Sequence, residues 1–167
     1  TTASNDFNFG TGAFTIECWV QFDTSQNNGV FQISTVSGGL TTSNTGYTPA
    51  VAHNGAKWHC YGAGGTVESE DISVAPGTWH HIAYVRSGTK LRLYVDGTKM
   101  IEAGDNVNYN GTYINIGGYY TTGFLLNGKI SNFRVVKGTA VYTDSFDPPT
   151  EPLTNISGTV LLCNNDS

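Results

Sequence analysis

The chain has 167 residues, a net charge of −5, charged side chains at only 13 % of positions, 12 % aromatics and 21 glycines. That length suffices for one domain with a full two-sheet core, and a glycine- and aromatic-rich profile suits strands and turns better than helices. Eight scattered Lys and Arg make no basic patch of the kind a nucleic-acid binder carries, and no apolar run approaches the ~20 residues that span a bilayer.

Residues 1–13 are polar and glycine-punctuated, which predicts a lead-in rather than an element, with no apolar core of a secretory signal. From Phe14 to Phe22 the alternation is clear: Phe14, Ile16, Cys18, Val20 and Phe22 point inward, Thr15, Glu17, Trp19 and Gln21 outward. An outward Trp19 implies a second layer or a partner on that face. Asp23 to Gly29 reads as a polar loop, Val30 to Val36 as a second strand, and Ser37 to Thr48 as a long Gly/Ser/Thr/Asn loop. Ala50 to His53 and Lys57 to Tyr61 flank Asn54-Gly55, a hairpin signal. Thr66 to Val74 then returns as an edge-like strand guarded by Glu68, Glu70 and Asp71.

Trp79 to Met100 is the organising ribbon. Trp79, His81, Ala83 and Val85 face one way and His80, Ile82 and Tyr84 the other; Leu91, Leu93 and Val95 then alternate against Arg92, Tyr94 and Asp96. Ser87-Gly88 supplies one turn, and Asp96-Gly97 is a strong type I′ signal. Lys99 to Ala103, Thr112 to Ile116 and Thr159 to Cys163 complete the short strands, with an Asn-rich loop at Gly104 to Gly111 and a Tyr-bearing loop at Gly117 to Gly123. In the last long stretch, Phe124 to Val136, the alternation slips, which predicts a bulge near Ser131-Asn132. Residues 143–158, with Pro148-Pro149 and Pro152, form an extended segment before the closing strand. About ten to twelve strands with turns every 8–12 residues predict an all-β, two-sheet antiparallel sandwich, with residues 1–167 as a single domain.

Phe14-Thr15-Ile16-Glu17-Cys18-Trp19-Val20, Gly77-Thr78-Trp79-His80-His81-Ile82-Ala83, Leu93-Tyr94-Val95-Asp96-Gly97 and Gly128-Lys129-Ile130-Ser131-Asn132-Phe133-Arg134-Val135 stand in an order that resembles a laminin-G-like, concanavalin-A-like jelly-roll domain across about residues 7–163. The run from Arg134 to Leu153 is similar to versions found in phage tail and virion proteins, particularly marine ones. The resemblance implies two curved sheets with ligands held on the concave face or the rim loops. Two departures stand out: nothing in residues 1–13 matches the family's opening strand, and Asn132 replaces an Asp that many relatives carry in the late strand. The first reflects either an abridged domain boundary or a sheet edge open to another chain's strand, and both weaken the case for the calcium site of many relatives.

The candidate chemistry is binding rather than catalysis. Glu68-Ser69-Glu70-Asp71-Ile72 is the nearest stretch to the carboxylate strand of the fold's glucanases, but Asp71 opposes the two glutamates and no third acid follows. His80 and His81, adjacent on a strand, point to opposite faces and cannot chelate one ion. No cofactor is expected, and a Ca²⁺ ion would find only Asp23 and Asp105 as loop carboxylates, with Asx turns the simpler account of both. Cys18, Cys60 and Cys163 read as free thiols, with a Cys18–Cys163 bridge the alternative. Sugars offer C–H faces to aromatic rings and hydroxyls to amides and imidazoles. His53, Trp58, His59 and Tyr61 on one hairpin, with Tyr109, Tyr119 and Tyr120 beside Asn106 and Asn108 in loops, are therefore the expected contacts for a glycan or a neighbouring subunit. The expected function is a non-enzymatic binding or structural module of a virion or extracellular fibre, a homo-oligomer engaging glycans or neighbouring subunits. The competing class is a secreted carbohydrate-active enzyme or its accessory domain.

Overall fold

The computed structural model describes residues 3–36, 49–119 and 124–164. The expected loop from Ser37 to Thr48 therefore falls outside the described residues, as do Tyr120 and the end of the Gly117 to Gly123 loop. Among the described residues, eleven strands form two antiparallel sheets. In chain order they are β1 (Phe14–Phe22), β2 (Asn28–Ser34), β3 (Ala50–His53), β4 (Trp58–Gly62), β5 (Gly65–Glu68), β6 (Trp79–Ser87), β7 (Lys90–Val95), β8 (Thr98–Gly104), β9 (Tyr113–Ile116), β10 (Gly128–Lys137) and β11 (Thr159–Cys163). The six-stranded sheet runs β11-β10-β1-β6-β7-β8 and the five-stranded sheet β5-β4-β3-β2-β9. This is the expected two-sheet jelly-roll sandwich.

Its core is the inner face of both sheets. Phe14, Ile16, Cys18, Val20 and Phe22 of β1 meet Phe31 and Ile33 of β2, Val51 of β3, and Trp58 and Cys60 of β4. Ile82 and Tyr84 of β6, Leu91, Leu93 and Val95 of β7, and Phe133 and Val135 of β10 complete it. The predicted bulge is present: Glu17 pairs with Arg134 and Trp19 with Ser131, so β10 carries one extra residue, with Asn132 at φ +52°. Cys18, Cys60 and Cys163 are free, the first two buried and the third exposed; burial pushes the Cys60 thiol up to about 12.

Three expectations need correction. Residues 1–13 do more than lead in. A 3-10 helical turn, Asn5–Phe7, is capped by the Ser4 hydroxyl, and Phe7 and Phe9 enter the core, Phe9 stacking on Phe14 at 4.4 Å. Two phenylalanines at i and i+2 among polar residues and glycine are too short a run to signal a strand, and among the described residues this segment adds no strand to either sheet. The edge strand expected from Thr66 to Val74 pairs only through Glu68.

The third correction concerns the outer face of the six-stranded sheet. Thr15, Glu17 and His81 point outward as the alternation requires, yet each is buried. The segment after β10 crosses over them as a strap. Thr15 Oγ1 donates to the Thr139 carbonyl and accepts from the Val141 amide, and the Tyr142 hydroxyl donates to Glu17 at 2.9 Å. Phe146 packs on Tyr94 and His81 and stacks on Tyr142 at 3.6 Å, sealing Ala83, Val85 and Tyr94 from water. From His81 to Arg86 both faces of β6 are therefore dry, one against the core and one against the strap.

The Asp96-Gly97 turn holds the strap in place. Both residues have positive φ, +49° and +73°, as a type I′ turn demands. Asp96 accepts from the His81 amide and binds the His80 ring at 2.6 Å, while the Gly97 carbonyl receives the Phe146 amide. A Cβ on Gly97 would sit 1.7 Å from the Phe146 carbonyl oxygen. Gly97→Ala is expected to lose at least about 1–2 kcal/mol from backbone strain alone, and more from displacing the strap. A urea midpoint equal to that of the parent protein would contradict this account.

Candidate functional site

Among the described residues no segment straps the outer face of the five-stranded sheet, and that face holds the candidate site. On β4 alternation sends Trp58 and Cys60 into the core and His59 and Tyr61 outward. Opposite them on β3 lie Ala52, paired with His59, and Ala50, paired with Tyr61. Small side chains beside large ones leave a hollow. The far wall comes from the loop after β9, where Tyr119 stacks on Tyr61 (4.4 Å, 27°) and meets Phe124 edge-on at 5.8 Å. That loop comes close because β2 has a glycine beneath it: a Cβ on Gly29 would lie 2.3 Å from the Phe124 carbonyl oxygen and 2.5 Å from the Tyr119 amide nitrogen.

The result is a pocket of about 220 Å³ lined by Asn27, Ala52, His53, Asn54, His59, Tyr61, Tyr119 and Phe124. Its polar groups are settled to different degrees. His53 Nε2 donates to the Ile72 carbonyl and its Nδ1 accepts from the Gly55 amide, so the ring is neutral and satisfied. Asn54 Oδ1 accepts from the Ala56 and Lys57 amides, which closes the β3–β4 turn and leaves its amide NH₂ at the rim. His59 Nδ1 lies 3.3 Å from the Glu68 carboxylate, which fixes the proton there, while Nε2 is sequestered with no partner among the described residues. A buried acceptor without a donor is costly in the free protein. Burial holds both His53 and His59 below the ordinary imidazole pKa, with the Glu68 carboxylate opposing the shift at His59.

Of the residues expected to bind, His53, His59, Tyr61 and Tyr119 converge on this pocket. Tyr120 lies outside the described residues. Trp58 is a correction: it is fully buried in the core, against Phe22 at 5.7 Å and His53 at 5.0 Å. Tyr109 is another. It is buried edge-on against Phe14, its hydroxyl donating to Asp105 at 2.7 Å and accepting from the Ala63 amide. Asn106 and Asn108 are exposed but line no part of the pocket. Asp105 is buried too, both oxygens engaged inside the protein by the Tyr109 hydroxyl, the Val107 amide and Arg86 rather than facing a loop that a calcium ion could enter. Asp23 is exposed, and among the described residues no three acidic, His or Cys side chains group as metal ligands. Asn27, Ala52, Asn54 and Phe124 were not expected here; only Asn54 carried a sequence signal, as a turn residue.

A wider groove of about 700 Å³ runs on the other side of the molecule, between Trp19, Trp79 and the prolines of the strap. The outward Trp19 is half-buried at its edge, with His81 edge-on at 5.4 Å. The groove's Asn132 amide is already spent on Ser131 and the Leu153 amide.

The sequence matches the family model of concanavalin A-like lectin/glucanases over residues 1–141. The chain belongs to the concanavalin A-like lectin/glucanases superfamily. No curated protein matches it in sequence. Among solved members of similar fold, a protein from Bacteroides ovatus described as carbohydrate-binding aligns with TM-score 0.70 and 16 % identity over 93 % of this chain and 46 % of its own. Domains LG4-5 of the mouse laminin α1 chain align with TM-score 0.57 and 16 % identity over 87 % of this chain and 43 % of theirs. Domain 4 of an extracellular arabinanase from Geobacillus stearothermophilus, in complex with arabinotriose, gives TM-score 0.57 and 12 % identity over 81 % and 65 %. The chain thus spans less than half the length of the first two, and at these identities the superfamily likeness establishes the fold alone.

Proposed function

We propose that this chain is a non-enzymatic glycan-binding module, a single jelly-roll domain that works outside the cell as part of a virion or fibre. The observation that carries the reading is the pocket on the unstrapped sheet face. It is concave and largely apolar, with a few amide and imidazole groups at fixed positions, which is the makeup of a small-ligand site. Its aromatic walls suit the C–H face of a sugar, and the Asn27 and Asn54 amides suit its hydroxyls. The similarity of this fold to carbohydrate-binding structures supports the same reading. No carboxylate is among the residues lining the pocket, whereas glycoside hydrolysis needs a facing pair. The resemblance of residues 134–153 to phage tail and virion proteins supports the setting. In that setting, copies of the chain would associate through the edge strands β5, β8, β9 and β11.

The test is binding to a glycan array, followed by titration of the strongest ligand against Tyr61→Ala. Loss of the Tyr61 ring is expected to weaken binding at least about tenfold, or 1.4 kcal/mol, with the urea midpoint little changed because Tyr61 is half-buried. Unaltered affinity in a folded Tyr61→Ala protein would move the ligand elsewhere. Release of reducing sugar from the bound glycan would overturn the non-enzymatic part.

A further inference from the structure

We infer that the pocket takes one uncharged sugar unit, at the end or a branch of a glycan, and rejects sialic, uronic and sulfated sugars. This rests on the glycan-binding reading above and narrows it to a ligand class.

The first ground is where the cations are. Of the eight Lys and Arg, seven stand on strands of the six-stranded sheet: Arg86 on β6, Lys90 and Arg92 on β7, Lys99 on β8, and Lys129, Arg134 and Lys137 on β10. The eighth, Lys57, sits in the β3–β4 turn, with its ammonium 3.5 Å from the Asp71 carboxylate. Residues 1–2, 37–48, 120–123 and 165–167, outside the described set, contain no Lys or Arg. Carboxylate and sulfate groups are recognised by guanidinium or ammonium donors, and none lines this pocket.

The second ground is the sign of what is there. Both pocket histidines are held neutral by burial, so they bring no positive charge at neutral pH. Glu68 stands 3.3 Å from His59 and places a carboxylate behind the wall, in a chain that already carries a net charge of −5. An anionic sugar would surrender its hydration to a site that repels it.

The third ground is size and the kind of donor and acceptor on offer. A pocket of about 220 Å³ is below the roughly 300–1,000 Å³ of sites for drug-sized ligands. It holds one ring, with the rest of the glycan outside. The Asn54 amide NH₂ donates and the Asn27 amide both donates and accepts, a set that matches hydroxyls, which do both. The Ala52 floor leaves room for the ring itself.

The experiment measures the full chain against matched glycan pairs: a sialylated glycan and its desialylated form, a uronic acid glycan and its neutral hexose counterpart, a sulfated glycan and its unsulfated form. Each is titrated at roughly 50 and 500 mM salt, a range that screens charge attraction strongly. The neutral member is expected to bind at least tenfold tighter in each pair that binds, with less than a twofold change between salts and a loss in Tyr61→Ala. Equal or tighter binding of the acidic member, or affinity that collapses in high salt, would overturn this inference while leaving glycan binding in place. Neutral binding that survives Tyr61→Ala would also overturn it, because the sugar would then lie outside the pocket. A folded protein that binds neither member of any pair would overturn the glycan reading itself and this inference with it.

Discussion

Arg134→Ala is expected to destabilise the protein by about 3–5 kcal/mol, the usual penalty for stranding one member of a buried ion pair. Glu17 is fully buried, and Arg134 reaches its Oε1 with two nitrogens, at 2.6 and 2.9 Å. His81 and the Tyr142 hydroxyl meet the other oxygen at 3.2 and 2.9 Å. Burial alone would raise the Glu17 pKa, but the His81 hydrogen bond, the Arg134 charge and the remaining bonds outweigh it and hold the carboxyl below its ordinary value. A depressed carboxylate stabilises the fold above the unfolded pKa, about 4.3, and that contribution is lost as the pH falls through the folded value. The gap between parent and Arg134→Ala should therefore be widest at neutral pH and narrow below about pH 4. Adding Glu17→Gln to Arg134→Ala should recover part of the loss, since no charge is then left buried. Urea midpoints across pH measure all three. A double variant less stable than Arg134→Ala would show that the damage is lost packing and not a stranded carboxylate.

Trp58→Ala is the second large effect, about 3–5 kcal/mol for deleting a fully buried indole. The ring fills the space between Phe22 and His53, and its loss opens a cavity beneath the proposed binding face. Trp58→Phe should lose no more than about 1.5 kcal/mol, because it keeps most of the volume and removes an indole N–H that has no partner. The contrast with Tyr61 separates core from site. Tyr61→Ala should lower affinity with little effect on stability, and Trp58→Ala should lower stability first. If Trp58→Ala keeps its urea midpoint but loses ligand, Trp58 belongs to the site after all.

Strand alternation made most of the sandwich legible. It gave the facing of every residue in β1, the two-turn ribbon β6-β7-β8, the Asp96-Gly97 turn and the β10 bulge. Alternation says which face a side chain joins, but not whether something else covers that face. Thr15, Glu17 and His81 are buried by a strap without regular structure, which has no period to read. The site divides the same way. His59 and Tyr61 are legible as the outward pair on β4, but Tyr119 and Phe124 reach them through a loop admitted by Gly29, which no local pattern announces. Tyr109 and Trp58 misled because a polar edge on an aromatic ring reads as surface. Asp105 and Arg86 satisfy Tyr109 inside the protein, while the Trp58 ring is buried although its N–H is left unpaired.

The strap also governs where this chain can be cut. The stretch matched by the family model stops at residue 141, only a few residues after the chain leaves β10. A product ending there would lack Tyr142 and Phe146, along with the whole of β11. Ala83, Val85 and Tyr94 would then form a bare apolar patch, and the edge of β10 would stand unpaired beside it. An uncovered patch next to an open edge is a recipe for aggregation. A recombinant version trimmed to the family boundary would be a sticky protein, and its clumping would pass for native oligomerisation.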